Sequence, residues 1–181
     1  TQSRSSAASD VYKRQVYVNF LVKLNTLIPI KDQGSSNRNE DDVPLTHNGS
    51  DEGKFVDILS IATNTSYSCI KSLLQYAGLL NEVSSFVNVL RHLGCWLGQL
   101  TIGINRPILH KYLNPRRLLV DSYSKGCVAS VLPFVCKILE SSKSGCYRSP
   151  NPWTNSILYT LAEIHSLANN TNSHMFEIEL Y

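Results

Sequence analysis

From residue 55 onward, hydrophobic residues recur at intervals of three and four, which is the spacing of one face of an α-helix. The first such segment runs from Phe55 to Leu74 and includes Cys69, and a second ends at Leu100. Both segments predict amphipathic helices that bury one side. A shorter segment with the same spacing covers residues 16–28, and Pro29 is expected to end it.

Three more helices are predicted, two of them from capping signals. Asn114-Pro115 and Asn151-Pro152 each combine an N-cap with a proline at the first helical position. Gly126 is the predicted stop of the helix that starts at Pro115. An apolar segment over 128–139 predicts the next helix, where Pro133 indicates either a kink or a start one turn later. Residues 175–181 resemble the opening of another helix.

The whole pattern predicts an all-α protein with about six helices and no strand. Successive helices joined by short connections favour a HEAT-like α-solenoid of antiparallel helix pairs, truncated at its C-terminus. A compact helical bundle is the alternative architecture. Gly94 and Gly98 lie four residues apart on one helix, and this spacing predicts the close approach of a neighbouring helix, since an interior glycine otherwise costs about 1 kcal/mol.

Two polar segments interrupt this organisation. Residues 1–15 are rich in serine and carry no apolar period, which predicts a disordered leader, either natural or a translated artefact. Residues 31–53 are polar and acidic with many turn-forming residues, and we expect a flexible loop there. The folded unit is therefore expected to be a helical scaffold fragment over 16–181.

The charge of the chain does not favour binding to nucleic acid. The net charge is +3, and the densest basic cluster, Lys111 with Arg116 and Arg117, is interpreted as a solvated surface. The five cysteines form no C-x-x-C pair and have no histidine partners at metal-ligand spacing. The sequence thus predicts no disulfide framework, no metal and no other cofactor. It also has no apolar run of bilayer-spanning length, so we expect no membrane partner.

Two places could hold chemistry. His92 and Cys95 lie three apart on one helix and could form a thiolate–imidazole pair, but the apolar setting of Cys95 disfavours an activated thiol. Trp96 and Trp153 could anchor a partner, although we favour core positions for both, with the indole N–H of each bonded to a carbonyl. The sequence predicts a protein that is not an enzyme and has no catalytic residue.

Six strings, taken in order, resemble the central domain of the large Not scaffold subunit of the CCR-NOT deadenylase complex. This domain is similar to the middle domain of the translation-initiation scaffold factor four-G, an array of HEAT-like helix pairs. The resemblance runs from about Val16 to the end of the chain. The strings are Leu93 to Thr101, Asn105 to His110, Leu132 to Ser142, Pro150 to Thr154, Leu161 to His165, and Phe176 to Glu179.

The resemblance implies a non-catalytic scaffold module for mRNA deadenylation, decay and translational repression. Its implied partners are a DEDD-type poly(A) nuclease subunit, a DEAD-box RNA helicase and the other CCR-NOT subunits, with no specific nucleic acid bound directly. The implied location is the cytoplasm, including P-bodies, with the nucleus as a further compartment. The alternative is another adaptor related to initiation factor four-G that binds a different RNA helicase.

Two turns are the predicted partner surface, because helix faces in a HEAT-like array are buried against neighbouring pairs. Prolines stiffen both turns and so lower the ordering cost of binding. The alternative is that both turns are capping structure. The candidates in the first turn are Asn105, Arg106, Pro107, His110 and Lys111, and those in and after the second are Pro150, Asn151, Trp153, Asn155 and Glu163.

Overall fold

The computed structural model describes residues 2–27, 57–80 and 83–167, with side chains from Tyr12 onward. These ranges are helical and contain no strand, which confirms the all-α prediction. The described α-helices are α1 (Gln2–Leu27), α2 (Ile58–Leu74), α3 (Ser84–Leu100), α4 (Pro115–Ser124), α5 (Val128–Glu140) and α6 (Pro152–Ser166). None of these helices is long and apolar enough to cross a bilayer.

The helices pack as a solenoid-like array. Helix α2 pairs with α3, and α4 pairs with α5. Between the pairs, α3 stacks against α5 and α4 stacks against α6, so equivalent helices of successive pairs lie side by side. Helix α1 packs against α2 and α3 at one end. This arrangement confirms the predicted solenoid and disfavours the compact bundle.

Helix α5 forms the centre of the core, because it is buried on nearly every side. Phe134 and Ile138 have no exposed surface, and Pro133 is buried among them. The helix begins at Val128, so the alternative of a start one turn later is wrong. Proline removes one intrahelical hydrogen bond, and the burial of the surrounding apolar side chains offsets that loss.

The glycine pair on α3 allows the close contact with α5. A Cβ atom added at Gly94 would collide with the carbonyl oxygen of Phe134. One added at Gly98 would lie 2.6 Å from Oγ of Ser141 and 3.1 Å from Cα of Ile138. The prediction of a close helix approach at these two glycines is confirmed.

The predicted helix caps are confirmed too. Oδ1 of Asn114 accepts a hydrogen bond from the backbone N–H of Arg117 at 3.1 Å, and Oδ1 of Asn151 accepts one from the N–H of Trp153 at 2.9 Å. Gly126 has a left-handed φ of 69° and ends α4 in a Schellman motif. In that motif the N–H of Cys127 donates to the carbonyl of Ser122 at 2.9 Å.

The N-terminal segment differs from the prediction. Residues 2–15 belong to α1 in the described backbone, whereas the sequence analysis predicted a disordered leader over 1–15. This stretch contains neither glycine nor proline, and adding residues to an existing helix costs little once it is nucleated. Among the described side chains of this helix Val18 is buried, while Val16 and Phe20 are exposed.

One face of α2 was also predicted wrongly. Cys69 was placed on the apolar face but is exposed, whereas Ser66 and Tyr67 are buried with Leu59 and Ile70. Positions 59, 66, 67 and 70 share one face at 3.6 residues per turn, and position 69 lies about 100° away from 70. The predicted loop at 31–53 and the predicted helix opening at 175–181 lie outside the described residues.

Candidate functional site

The two predicted partner turns are joined through the backbone of one residue, Cys146. The backbone N–H of Cys146 donates a hydrogen bond to Oδ1 of Asn105 at 3.0 Å. The carbonyl of Cys146 accepts one from Nδ2 of Asn151 at 2.9 Å. Asn105 and Asn151 therefore hold the turn after α3 against the loop before α6, which is the capping role that the sequence left as the alternative.

Replacing Asn105 tests this structural role. Asn105 has a left-handed φ of 60°, a conformation that costs alanine roughly 1–2 kcal/mol. Asn105→Ala also removes the hydrogen bond to Cys146, so we expect a total loss of about 1–3 kcal/mol in the free energy of unfolding. Asn105→Gly loses only the hydrogen bond and should cost less in urea denaturation. Equal losses for the two variants would contradict the backbone argument.

Arg106 is bound to the start of α2. Its Nη2 atom lies 2.7 Å from Oδ2 of Asp57, and both side chains are about one third exposed. Oδ1 of Asp57 also caps α2 by accepting from the N–H of Ser60 at 3.2 Å. Burial alone would raise the pKa of Asp57, but the hydrogen bonds from Ser60 and Arg106 outweigh it and lower the pKa below the ordinary 3.8. The Arg106 guanidinium therefore stabilises the fold.

The Asp57–Arg106 pair should make stability depend on pH. A carboxyl whose pKa is lower in the folded state stabilises the protein above its unfolded pKa, and that stabilisation is lost as the pH falls through the folded value. Asp57→Asn keeps a side chain that can cap the helix but removes the charge. We expect the variant to melt below the parent at pH 7 and the gap to close below pH 3.8, the ordinary value. A gap independent of pH would refute the electrostatic account.

The other candidate residues of the first turn are exposed. Pro107, His110 and Lys111 all lie on the surface. The ammonium of Lys111 lies 4.6 Å from the centre of the Tyr112 ring, and that ring stacks on Tyr67 of α2 at 5.1 Å with an interplanar angle of 15°. These side chains form a surface between the turn and α2 that a partner could reach.

The second turn is held mainly by its own contacts. The Ser149–Pro150 peptide is cis. Trp153 is half-buried and packs edge-to-face on Tyr147, with ring centres 5.6 Å apart. Oδ1 of Asn155 accepts a hydrogen bond from Oγ of Ser149 at 3.0 Å. Trp153 thus packs against the core, as the sequence analysis favoured. Asn155 stabilises the loop through its hydrogen bond with Ser149.

Trp96 also packs against a hydrophobic cluster as favoured, next to Val18 and Leu100. Its indole N–H donates to Oγ of Ser66 at 3.0 Å. The expected acceptor was a carbonyl, so that detail was wrong. The hydroxyl is within reach because Ser66 lies on the buried face of α2.

Helix α6 presents an exposed face that includes Glu163. One turn earlier lies Tyr159, which is 70% exposed, and one turn before that lies Asn155. The three residues are spaced at i, i+4 and i+8 and so share one side of the helix. The sequence analysis named Asn155 and Glu163 but missed Tyr159, which the spacing between them could have shown.

The predicted basic cluster is a solvated surface in the structure. Lys111, Arg116 and Arg117 are exposed. Nε of Arg116 donates to Oγ1 of Thr160 at 3.2 Å, and Nε of Arg117 lies 3.6 Å from a carboxylate oxygen of Asp121. The three cations are distributed over the turn and α4 and do not form a single stripe.

A family model matches residues 54–181, which include helices α2 to α6. Its description is the CAF1-binding domain of CCR4-NOT transcription complex subunit 1. The chain belongs to this family. The match starts after α1, whereas the resemblance in the sequence was placed from Val16 onward.

The chain is similar to three proteins over part of its length. General negative regulator of transcription subunit 1 of Saccharomyces cerevisiae is 41% identical over 92 residues, or 50% of this chain. The protein of the same name from Schizosaccharomyces pombe is 41% identical over 131 residues, or 72% of this chain. CCR4-NOT transcription complex subunit let-711 of Caenorhabditis elegans is 40% identical over 95 residues, or 51%. The aligned parts span 4%, 6% and 4% of these relatives.

The chemistry of the described residues fits a scaffold family. Burial raises the pKa of the Cys95 thiol, which disfavours the nucleophilic thiolate that cysteine catalysis requires. His92 is exposed on the same helix. Within the described ranges, no group of three histidine, cysteine, aspartate or glutamate residues lies close enough to hold a metal ion.

Proposed function

We propose that this chain is a non-catalytic docking module of the CCR4-NOT scaffold and that it binds the CAF1 nuclease, a DEDD-type poly(A) nuclease. The observation that supports this proposal is the match to the CAF1-binding domain, which covers the helical array from α2 to α6. In this role the domain would bring the nuclease to mRNA, and the nuclease would supply all the chemistry.

The structure suits docking because contacts between helices, hydrogen bonds between loops and an ion pair fix its framework. The α3–α5 contact forms a close-packed centre around Gly94, Gly98 and Phe134. The backbone of Cys146 joins the two turns, and the Asp57–Arg106 pair fixes one turn to α2. A surface that is already ordered loses little conformational entropy when a partner binds.

The exposed face of α6 is our proposed contact for the nuclease. Tyrosine is enriched among the residues that dominate binding energy at interfaces. Tyr159 stands on this face at 70% exposure, with Glu163 one turn further along. A large aromatic side chain that is left exposed, next to a carboxylate, provides an anchor and a group that orients the partner.

A binding measurement with the intact chain and purified CAF1 nuclease tests both parts of the proposal. Tyr159→Ala should remove about 2 kcal/mol of binding energy, or roughly 30-fold in Kd, and leave the melting temperature unchanged. Val120→Ala is the matched control, since Val120 is 48% exposed on α4 and lies outside the proposed face. If the parent chain fails to bind the nuclease, the function is wrong. If Tyr159→Ala binds like the parent, only the α6 contact is wrong.

We also propose that a DEAD-box RNA helicase docks on the same domain and that the domain shares the architecture of the middle domain of initiation factor four-G. The resemblance supports both proposals, along with contacts to other CCR4-NOT subunits and a location in the cytoplasm, P-bodies and the nucleus. Two partners can bind together because exposed residues occur both on α6 and around the turn beside α2.

A competition experiment separates this proposal from the alternative adaptor. The chain is first saturated with nuclease and then mixed with purified helicase. A complex of all three proteins supports a scaffold that joins the two enzymes. Binding of a helicase by a chain that does not bind the nuclease would instead favour the adaptor related to initiation factor four-G.

A further inference from the structure

The exposed side chain of Arg116 reaches from the start of α4 across to α6. Its Nε donates a hydrogen bond to Oγ1 of Thr160 at 3.2 Å. Thr160 is 2% exposed, and its own hydroxyl donates to the carbonyl of Ser156 at 3.1 Å. This buried acceptor therefore holds the guanidinium at the surface of α6 and uses one of its five N–H groups. The four N–H groups on Nη1 and Nη2 are left for a partner.

Arg116 differs in this respect from Arg117, the next residue of α4. Nε of Arg117 lies 3.6 Å from a carboxylate oxygen of Asp121 on the same helix. The ion pairs among the described residues leave Arg116 without a carboxylate. An arginine that is already oriented loses less side-chain entropy when it binds a partner. Arg116 therefore combines an uncompensated charge with a fixed position.

The Arg116 guanidinium lies beside the exposed face of α6. Tyr159 directly precedes Thr160 and is 70% exposed, and Glu163 follows Thr160 by three residues, which is almost one helical turn. A cation from α4 thus stands next to the aromatic side chain and the carboxylate that we propose as the nuclease contact. Tyrosine and arginine are both enriched among residues that dominate binding energy. The two helices together present the residue types of a binding hot spot.

The charges at this place favour a protein carboxylate as the ligand of Arg116. The two Nη atoms of an arginine suit the planar, bidentate geometry of a carboxylate and also bind phosphate. Glu163 on the same face would repel the phosphates of RNA, and the neighbouring Arg117 is already paired with Asp121. A protein surface can instead place a carboxylate opposite Arg116 and a cation opposite Glu163, which is electrostatic complementarity.

We propose that Arg116 is a second anchor for the nuclease and that its Nη1 and Nη2 atoms bind a carboxylate on the nuclease surface. Next to that carboxylate, an apolar part of the nuclease packs on Tyr159, and a basic group faces Glu163. This inference rests on the proposed docking of the nuclease on α6. It extends the contact from one helix to two and states the chemistry that the nuclease must present there.

Alanine substitutions of the two neighbouring arginines test this anchor, with the intact chain and purified CAF1 nuclease. Arg116→Ala should raise the Kd roughly 10- to 30-fold, mainly through faster dissociation. Its melting temperature should stay within about 2–4 °C of the parent, since one exposed hydrogen bond is lost. Arg117→Ala is the matched control, because it removes the same charge from the same helix, and its Kd should change by less than about 2-fold. Equal effects of the two variants would overturn the proposal.

Two further variants test the geometry of the guanidinium. Arg116→Lys keeps the charge but lacks the planar fork, so it should bind roughly 3- to 10-fold more weakly than the parent. Thr160→Val removes the acceptor that orients Arg116 and should weaken binding about 2- to 5-fold. Added to Arg116→Ala, Thr160→Val should have no further effect on the Kd. Additive effects would contradict the positioning of Arg116 by Thr160.

A charge exchange identifies the carboxylate. The Arg116→Glu chain is measured against nuclease variants in which each exposed aspartate or glutamate is changed singly to arginine. One of these variants should recover at least about 10-fold in Kd, as close charge pairs across an interface do. Absence of recovery with every nuclease variant would overturn the carboxylate pairing.

RNA and the Tyr159→Ala variant separate the remaining outcomes. Loss of binding to single-stranded oligo(A) by Arg116→Ala, with unchanged binding of the nuclease, would make Arg116 a phosphate contact and overturn the proposal. Failure of the parent chain to bind the nuclease would refute the proposed function and this inference with it. Normal nuclease binding by Arg116→Ala, together with weakened binding by Tyr159→Ala, would remove the second anchor alone.

Discussion

Replacing Gly94 by alanine is expected to lower the free energy of unfolding by about 1–3 kcal/mol, as overpacking does in a close-packed core. Alanine is the better helix former by roughly 1 kcal/mol, but the added Cβ would collide with the carbonyl oxygen of Phe134. That oxygen is backbone, so relief requires α3 and α5 to move apart. Urea denaturation measured by circular dichroism would give the difference.

Gly78→Ala provides the matched control for this experiment, because a Cβ added there meets no atom within 4 Å. It should be neutral. A second control combines Gly94→Ala with truncation of Phe134 to alanine. Removing that side chain leaves the carbonyl in place, so the double variant should not regain the stability lost by Gly94→Ala. A Gly94→Ala protein as stable as the parent would contradict the close approach of the two helices.

Phe134→Ala alone is expected to cost about 3–5 kcal/mol, the usual effect of deleting a fully buried aromatic side chain. Phe134 has no exposed surface and belongs to the main core cluster. Since small domains are stable by about 5–15 kcal/mol, this loss is a large fraction of the total. Thermal and urea unfolding of the intact chain would both show it.

Val120→Ala serves as the control for core truncation. Val120 is 48% exposed on α4, and surface substitutions of this kind usually change stability by less than about 0.5 kcal/mol. A similar small effect for Phe134→Ala would mean that α5 does not form the centre of the core. A large effect for Val120→Ala would mean that the face of α4 on which it lies is buried.

The parts of the fold that the sequence predicted depend on local chemistry. The Asn-Pro pairs at 114–115 and 151–152 cap helices through bonds to residues two or three positions away. Gly126 adopts the left-handed conformation that ends α4. The Gly94–Gly98 spacing lies within one helix and can be recognised from that helix alone. Each of these signals is complete within a few residues of the chain.

The candidate site was harder to predict because its contacts join distant residues. Asn105 binds Cys146 across 41 positions, and Arg106 binds Asp57 across 49. Both were predicted as partner contacts, and the structure uses the side chains of both to hold the fold. The Tyr67–Tyr112 stack was missed for the same reason. Residues 2–15 belong to α1 although they carry no apolar period, because helix propensity can extend a helix without one.

The backbone of Cys146 has a mechanical consequence for this edge of the array. Its N–H binds Asn105 on one side and its carbonyl binds Asn151 on the other. The loops of successive helix pairs are therefore connected to each other by hydrogen bonds. A displacement imposed on one loop is passed to the other through this one residue and the two peptide planes that meet at its Cα. A load on one loop would thus reach the other without any change in the helices between them.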